Sequence, residues 1–190
     1  DAGFISKRNS GGSQVNYLLR RADGGKLELI IRNTGGTNQM LDSSTTWNPD
    51  ANQWYFITAT YDNTTKIVRL YIDGNILKAA FFTGSPQTDD NPVRIGTEDG
   101  GSGYFNGLID EVRIYNYART PDEIRLDYNA GYAAHFGPKS TCEKDPGSCM
   151  TKGLVGYWPF EDGEGTTASD ASNYSNDGTL IEMATSTNAW

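Results

Sequence analysis

One stretch constrains this chain more than any other: Tyr104-Phe-Asn-Gly-Leu-Ile-Asp-Glu-Val-Arg-Ile-Tyr-Asn-Tyr117, with the segment Ala118 to Gly131 that follows it. Phe105, Leu108, Ile109, Val112, Ile114 and Tyr115 give it β-branched and aromatic content, which predicts a strand buried on at least one face. Alternation places Asp110 on the side of Val112 and Ile114, while Glu111, Arg113 and Tyr115 point the other way. A carboxylate on the apolar side is costly unless something neutralises it. Thr120-Pro-Asp-Glu123 then reads as a capping box, with proline at the first helical position and acids in the first turn. The short helix it starts carries Ile124 and Tyr128 on one face and stops near Gly131.

The residues before this stretch are strands punctuated by turns. Phe4–Arg8 is followed by the turn at 9–13. Val15–Arg21 and Lys26–Arg32 form a hairpin across Ala-Asp-Gly-Gly, and 33–38 is a glycine-rich turn. Gln53–Asp62 is apolar on both faces and is expected to be central. Lys66–Asp73, Ile76–Phe82 and Val93–Gly96 follow, separated by Asn63-Thr-Thr, Asp73-Gly74 and the polar loop 85–92. With 22 glycines and 12% aromatic residues in 190, and one convincing helix, the pattern is all-β. Turns at such regular intervals suit a two-sheet sandwich or jelly roll.

The net charge of −8 leaves nothing to neutralise a phosphate backbone, so a nucleic-acid partner is excluded, and an anionic membrane surface is disfavoured. No apolar run approaches the roughly 20 residues of a spanning helix, so no membrane insertion is expected in this segment. An opening on Asp1-Ala-Gly-Phe-Ile, without methionine, fits either removed targeting segments or a piece of a longer chain.

The run FNGLIDEVRIYNYARTPDEIRLDYNAG resembles the closing strand and helix of the laminin-G-like jelly rolls, relatives of the concanavalin-A-like lectins and glucanases. The order W-x-F-I-T-A-T-Y-D, L-Y-I-D-G, V-R-I-G and F-N-G-L-I-D-E-V-R-I-Y-N, through residues 54 to 116, is similar to the family throughout. The resemblance implies an antiparallel two-sheet jelly-roll sandwich with one short helix after the closing strand. It also implies an extracellular or cell-surface location, and binding rather than catalysis.

Gly153-Leu-Val-Gly-Tyr-Trp-Pro-Phe160 resembles the opening of such a jelly roll, yet it comes last. The expected organisation is therefore a jelly roll over 1–131 lacking its first strands, a linker over 132–152, and opening strands over 153–190. The tail belongs to the next of several tandem repeats, to a circular permutant, or to a neighbouring molecule whose sheet it completes. The last arrangement would be a head-to-tail assembly. Cys142 and Cys149 flank Asp145-Pro-Gly and read as a local disulfide, worth about 2–2.5 kcal/mol in the chain-entropy model, against the alternative of two free thiols.

Asp170, Asn173, Asn176 and Asp177 form an oxygen-rich cluster that could be a set of Asx turns or a calcium loop. The resemblance implies the latter: calcium held between the early Asp loop and the closing strand, with Asp110, Asp170 and Asn173 as metal ligands. Glycan stacking would fall to loop aromatics, for which Trp47 and Tyr104 are candidates, with Trp54 and Trp158 assigned to the core. No Glu-x-Asp-x-Glu spacing is present, and His135 is the only histidine, so no catalytic set is assigned. The expected function is a non-enzymatic adhesion or carbohydrate-binding module of a repeat-bearing surface protein, with a glycan or surface protein as partner. The alternatives are a fibre or appendage subunit assembled by strand exchange, and a glycoside hydrolase fragment.

Overall fold

The computed structural model describes residues 1–9, 14–130 and 151–181. The strands are β1 (Ala2–Arg8), β2 (Val15–Arg21), β3 (Leu27–Arg32), β4 (Asn38–Asp42), β5 (Ile57–Asp62), β6 (Ile67–Ile72), β7 (Asn75–Phe81), β8 (Val93–Ile95) and β9 (Val112–Tyr115). Helix α1 (Pro121–Ala130) follows, then β10 (Leu154–Trp158), β11 (Thr167–Ala168) and β12 (Gly178–Thr179). The paired strands are antiparallel throughout. The all-β, antiparallel jelly-roll class is the class observed, with α1 the one helix named among the described residues. Cys142 and Cys149 lie outside the described residues.

The chain divides into two compact units: the described parts of 1–107 with 118–134, and those of 108–117 with 135–190. In the first, a five-stranded sheet of order β4-β3-β2-β1-β8 faces a three-stranded sheet of order β5-β6-β7. Leu19, Leu29 and Leu41 stand opposite one another on β2, β3 and β4. Their shared face packs on Val68, Leu70 and Phe82 from the other sheet. That interdigitation is what two half-apolar sheets require to remove their inner faces from water.

Turn chemistry fixes the hairpins. Asp73 and Gly74 both take positive φ, 50° and 74°, the backbone that a two-residue hairpin needs between β6 and β7. The other face of the five-stranded sheet carries an ion-pair network beside the apolar row Leu18, Ile30 and Met40. Arg20 there binds Glu28 at 3.0 Å and Glu98 at 2.9 Å, and Arg8 binds Glu98 at 3.1 Å. Thr120 and Glu123 form the reciprocal cap of α1: Glu123 N donates to Thr120 Oγ1 at 3.2 Å and Thr120 N to Glu123 Oε2 at 2.7 Å. Ile124 is fully buried, as its helical face predicts.

Three sequence expectations need correction. β4 occupies 38–42, where no strand was expected; it is an edge strand in which only Leu41 is buried. β5 begins at Ile57 rather than at 53 and lies at an edge of its three-stranded sheet rather than at its centre, and Trp54, assigned to the core, is 53% exposed. The stretch 104–117 is not one long core strand: β9 spans only four residues and Leu108 is 74% exposed. The break is local. Glu111 has φ 55°, and its N–H goes to the Asp110 carboxylate at 2.7 Å, a side-chain bond that competes with the ladder. The alternation that put Asp110 beside Val112 ends there, and Asp110 is exposed.

The second unit is built on β9 and β10. Val112 pairs with Trp158, Arg113 with Tyr157 and Ile114 with Gly156. Trp158 is buried, with its ring against Gly156, and its Nε1 donates to Asn176 O at 3.0 Å. Ala168 is buried on β11, whose partner is β12. Trp158 thus fills a core, as expected of it.

Candidate functional site

Period-two alternation puts Arg113 and Tyr157 directly opposite each other on the face of β9 and β10 that Trp158 does not use. The Arg113 guanidinium lies 4.7 Å from the centre of the Tyr157 ring, a cation–π arrangement. Glu111 closes the group. Its carboxylate pairs with Arg113 Nη2 and accepts the Tyr157 hydroxyl at 2.9 and 3.0 Å.

Glu111 holds a left-handed backbone, and a non-glycine residue there is strained. Burial would make Arg113 easier to deprotonate, but Tyr157 and Glu111 outweigh it and hold the guanidinium firmly charged. Burial raises the pKa of the Tyr157 phenol; Arg113 opposes that and Glu111 adds to it. The hydroxyl therefore stays a donor at neutral pH. An acid at 45% side-chain exposure, a cation and a half-buried aromatic ring are locked together on one surface.

A loop at residues 169–177 is knitted to β10 behind this surface. Ala171 N donates to Tyr157 O at 2.8 Å and Asn176 Nδ2 to Val155 O at 2.8 Å. Asp170 is its centre. Oδ1 accepts Tyr157 N at 2.8 Å and Ser172 N at 2.9 Å; Oδ2 accepts Ser172 Oγ and Asn176 N, both at 2.8 Å. Burial pushes the Asp170 pKa up, but the N–H groups of Tyr157, Asn176 and Ser172 prevail and hold it below the usual carboxylate range.

The residues expected to bind calcium fare unequally in this geometry. A carboxylate has about four acceptor positions, and all of those of Asp170 face donor hydrogens, which repel a cation. Asn173 is exposed on the loop, and Asp110 holds the N–H of Glu111. Among the described residues no three Asp, Glu, His or Cys side chains converge as a metal-ligand set. The residues present do not fit a calcium ion as the loop stands. Asp170 and Ser172 instead make the Asx turn that was the other reading of this cluster.

In the first unit, Trp47 is half-buried and packs edge-on against Phe4 and Tyr55, with ring centres 6.4 and 5.4 Å apart. It is a packing residue. Tyr104 is 56% exposed, its hydroxyl on Gly100 O at 3.2 Å. A cleft of about 70 Å³ lies beside Met40, Leu41, Ala80, Phe81 and Phe82. It is apolar and far below the few hundred Å³ of a small-molecule pocket. Sequence reasoning singled out Asp170 but missed Glu111, Arg113 and Tyr157 as a group. The available signal was the alternation that set Glu111 and Arg113 on one side of their strand; the register that brings Tyr157 to them is not written locally.

A family model described as the concanavalin A-like lectin/glucanases superfamily matches residues 1–125. No curated protein matches this sequence. Among solved structures, the chain is similar to a candidate carbohydrate-binding protein from Bacteroides ovatus ATCC 8483, at 22% identity and a TM-score of 0.60, with 95% of this chain and 50% of that one covered. The chain thus spans half the length of that protein, and the likeness speaks to fold alone. An S-layer domain-containing protein from Clostridium thermocellum ATCC 27405 aligns at 21% identity and a TM-score of 0.35, over 64% of this chain and 59% of that one, too slight a likeness to argue from. The family match covers well over half of the chain and agrees with the packed antiparallel sheets of its first unit: this protein belongs to the concanavalin A-like lectin/glucanase superfamily.

Proposed function

We propose that this chain is a non-catalytic carbohydrate-binding module that works outside the cell or at its surface, as an adhesive part of a repeat-bearing protein. The observation that carries the reading is the Glu111–Arg113–Tyr157 group on the face of β9 and β10 opposite Trp158. Sugar recognition asks for an aromatic ring with carboxylate and guanidinium groups held around it, so that hydroxyls find fixed partners at little ordering cost. The superfamily and the name of the Bacteroides protein support the same direction. Internal pairing of Glu111 with Arg113 leaves the group neutral, and the chain's net charge of −8 repels acidic polymers, so neutral glycans are the expected class.

Hydrolysis is disfavoured by the setting of the acids. Glycoside cleavage uses two carboxylates flanking the scissile bond. Glu28 and Glu98 share Arg20 and are buried, closed to a polysaccharide, and Glu111 is tied to Arg113 and Tyr157.

A glycan array probed with the full chain and with Tyr157→Ala and Glu111→Gln tests the reading. Binding to a neutral glycan, weakened roughly tenfold or more in both variants, is expected, since a ring contact and a charged hydrogen bond each contribute about 1–3 kcal/mol. No binding by the native chain would overturn the function. Equal binding by all three proteins would move the site elsewhere, with Tyr104 and Trp54 next to be tested. Release of reducing sugar from a bound polysaccharide would return the hydrolase reading.

A second reading, a fibre subunit joined by strand exchange, draws on β7, an edge strand whose seven residues are all exposed. Sedimentation velocity across a concentration series separates the two: growing polymers favour the fibre, and a constant monomer removes it.

A further inference from the structure

We infer that the loop at 169–177 is closed by the Asp170 carboxylate in the place where a cation would otherwise gather its oxygens, so that this unit folds without calcium. Asp170 draws together three passages of chain: β10 through Tyr157, its own turn through Ser172, and the returning limb through Asn176. Calcium would unite such passages by collecting six to eight oxygens around a positive centre. Here the polarity is inverted: the centre is negative and the passages present hydrogens. Charge-assisted bonds to backbone N–H groups are among the stronger hydrogen bonds in proteins.

The neighbouring groups complete the inversion. Asp177 Oδ1 accepts the N–H of Asp170 itself at 2.9 Å, so the second acid of the cluster also faces a donor. At the mouth of the loop, Ser169 gives its N–H and hydroxyl to Asp162 at 2.9 and 2.8 Å. A cation could take a ligand from either oxygen of Asp170 only by displacing hydrogen bonds already made there. One consequence bears on the glycan reading and rests on it: by holding the N–H of Tyr157, Asp170 acts as a positioning residue for the ring that Glu111 and Arg113 engage.

The test uses the full chain, followed by thermal melting and by amide hydrogen exchange, in excess EGTA and in millimolar calcium. The melting midpoints should coincide, and the amides of Tyr157, Ser172 and Asn176 should be protected in both. Asp170→Ala should lower the midpoint and speed exchange at those three amides by at least about tenfold, with no recovery in calcium. Should that variant fail to fold, Ser172→Ala removes one donor only and should give a smaller loss, again independent of calcium. A midpoint that rises with calcium, protection that appears only with it, or an Asp170 variant indistinguishable from the native chain would overturn the inference. None of these readouts involves a sugar, so they fail or succeed separately from the glycan array.

Discussion

Gly156 lies beneath the indole of Trp158, so close that a Cβ added at position 156 would come to 2.5 Å of the ring. The two residues sit on the same face of β10, and the ring occupies the space that a side chain would need. Gly156→Ala is expected to push Trp158 off the face it shares with Val112. Overpacking of this kind costs about 1–3 kcal/mol. Urea unfolding followed by tryptophan fluorescence, with exchange at β9 and β10 amides, measures it, and an unchanged midpoint would show the ring free to move.

The cap of α1 makes a smaller, cleaner prediction. Thr120→Ala removes the acceptor of the Glu123 N–H and is expected to cost about 1 kcal/mol, as other N-caps do. Glu123→Gln keeps the reciprocal bond to Thr120 N and should cost less. Chemical denaturation of the two variants gives the order.

Arg119 and Asp127, both buried, pair at 2.6 Å. Asp127→Ala would take a carboxylate partner from a buried guanidinium, at a cost of about 3–5 kcal/mol. The paired change Arg119→Met with Asp127→Leu should recover much of the loss, because it removes both charges together. A double-mutant cycle reads the coupling.

Acid should weaken the first unit through its turns. Backbone N–H bonds from Gly101 and Ser102, with the Ser102 hydroxyl, hold Asp99 below the usual carboxylate range against a smaller push from burial. Asp62 is lowered by the Thr65 hydroxyl and by the N–H groups of Thr64 and Thr65. Both folded values lie below the unfolded one, so their stabilisation is complete above the unfolded pKa near 4 and is lost as pH falls through the folded values. Melting midpoints should be level from neutrality to about pH 5 and fall below it. Asp99→Asn should start lower and fall less steeply, and a parallel decline would exclude Asp99 as a contributor.

The parts of the fold legible in the sequence are those specified locally. The hairpin signals, the capping box and the burial of Ile124 each depend on residues within a few positions of one another. β4 escaped notice because Asn38-Gln-Met-Leu-Asp buries only Leu41, and a partner strand, not its own pattern, holds it extended. Trp54 was misplaced because apolar content alone does not say where a strand begins. Composition also hid the break at Glu111, since Leu108 and Ile109 extend the apolar run past the point where the backbone turns.

The same distinction governs the site. Asp170 was singled out from its neighbours, but whether its oxygens would face a metal or N–H groups depends on the path of β10. Glu111 and Tyr157 lie 46 positions apart, and only strand register brings them together.

That register also sets a timetable. Thirty-nine positions separate Tyr115 from Leu154, its partner across the ladder (154 − 115 = 39). At a ribosomal pace of roughly 5–20 residues per second, β9 emerges some 2–8 seconds before β10 exists to pair with it. Through that interval its backbone amides and carbonyls wait for a partner, and any strand already at hand, from a chaperone client or a sister chain, competes for the seat.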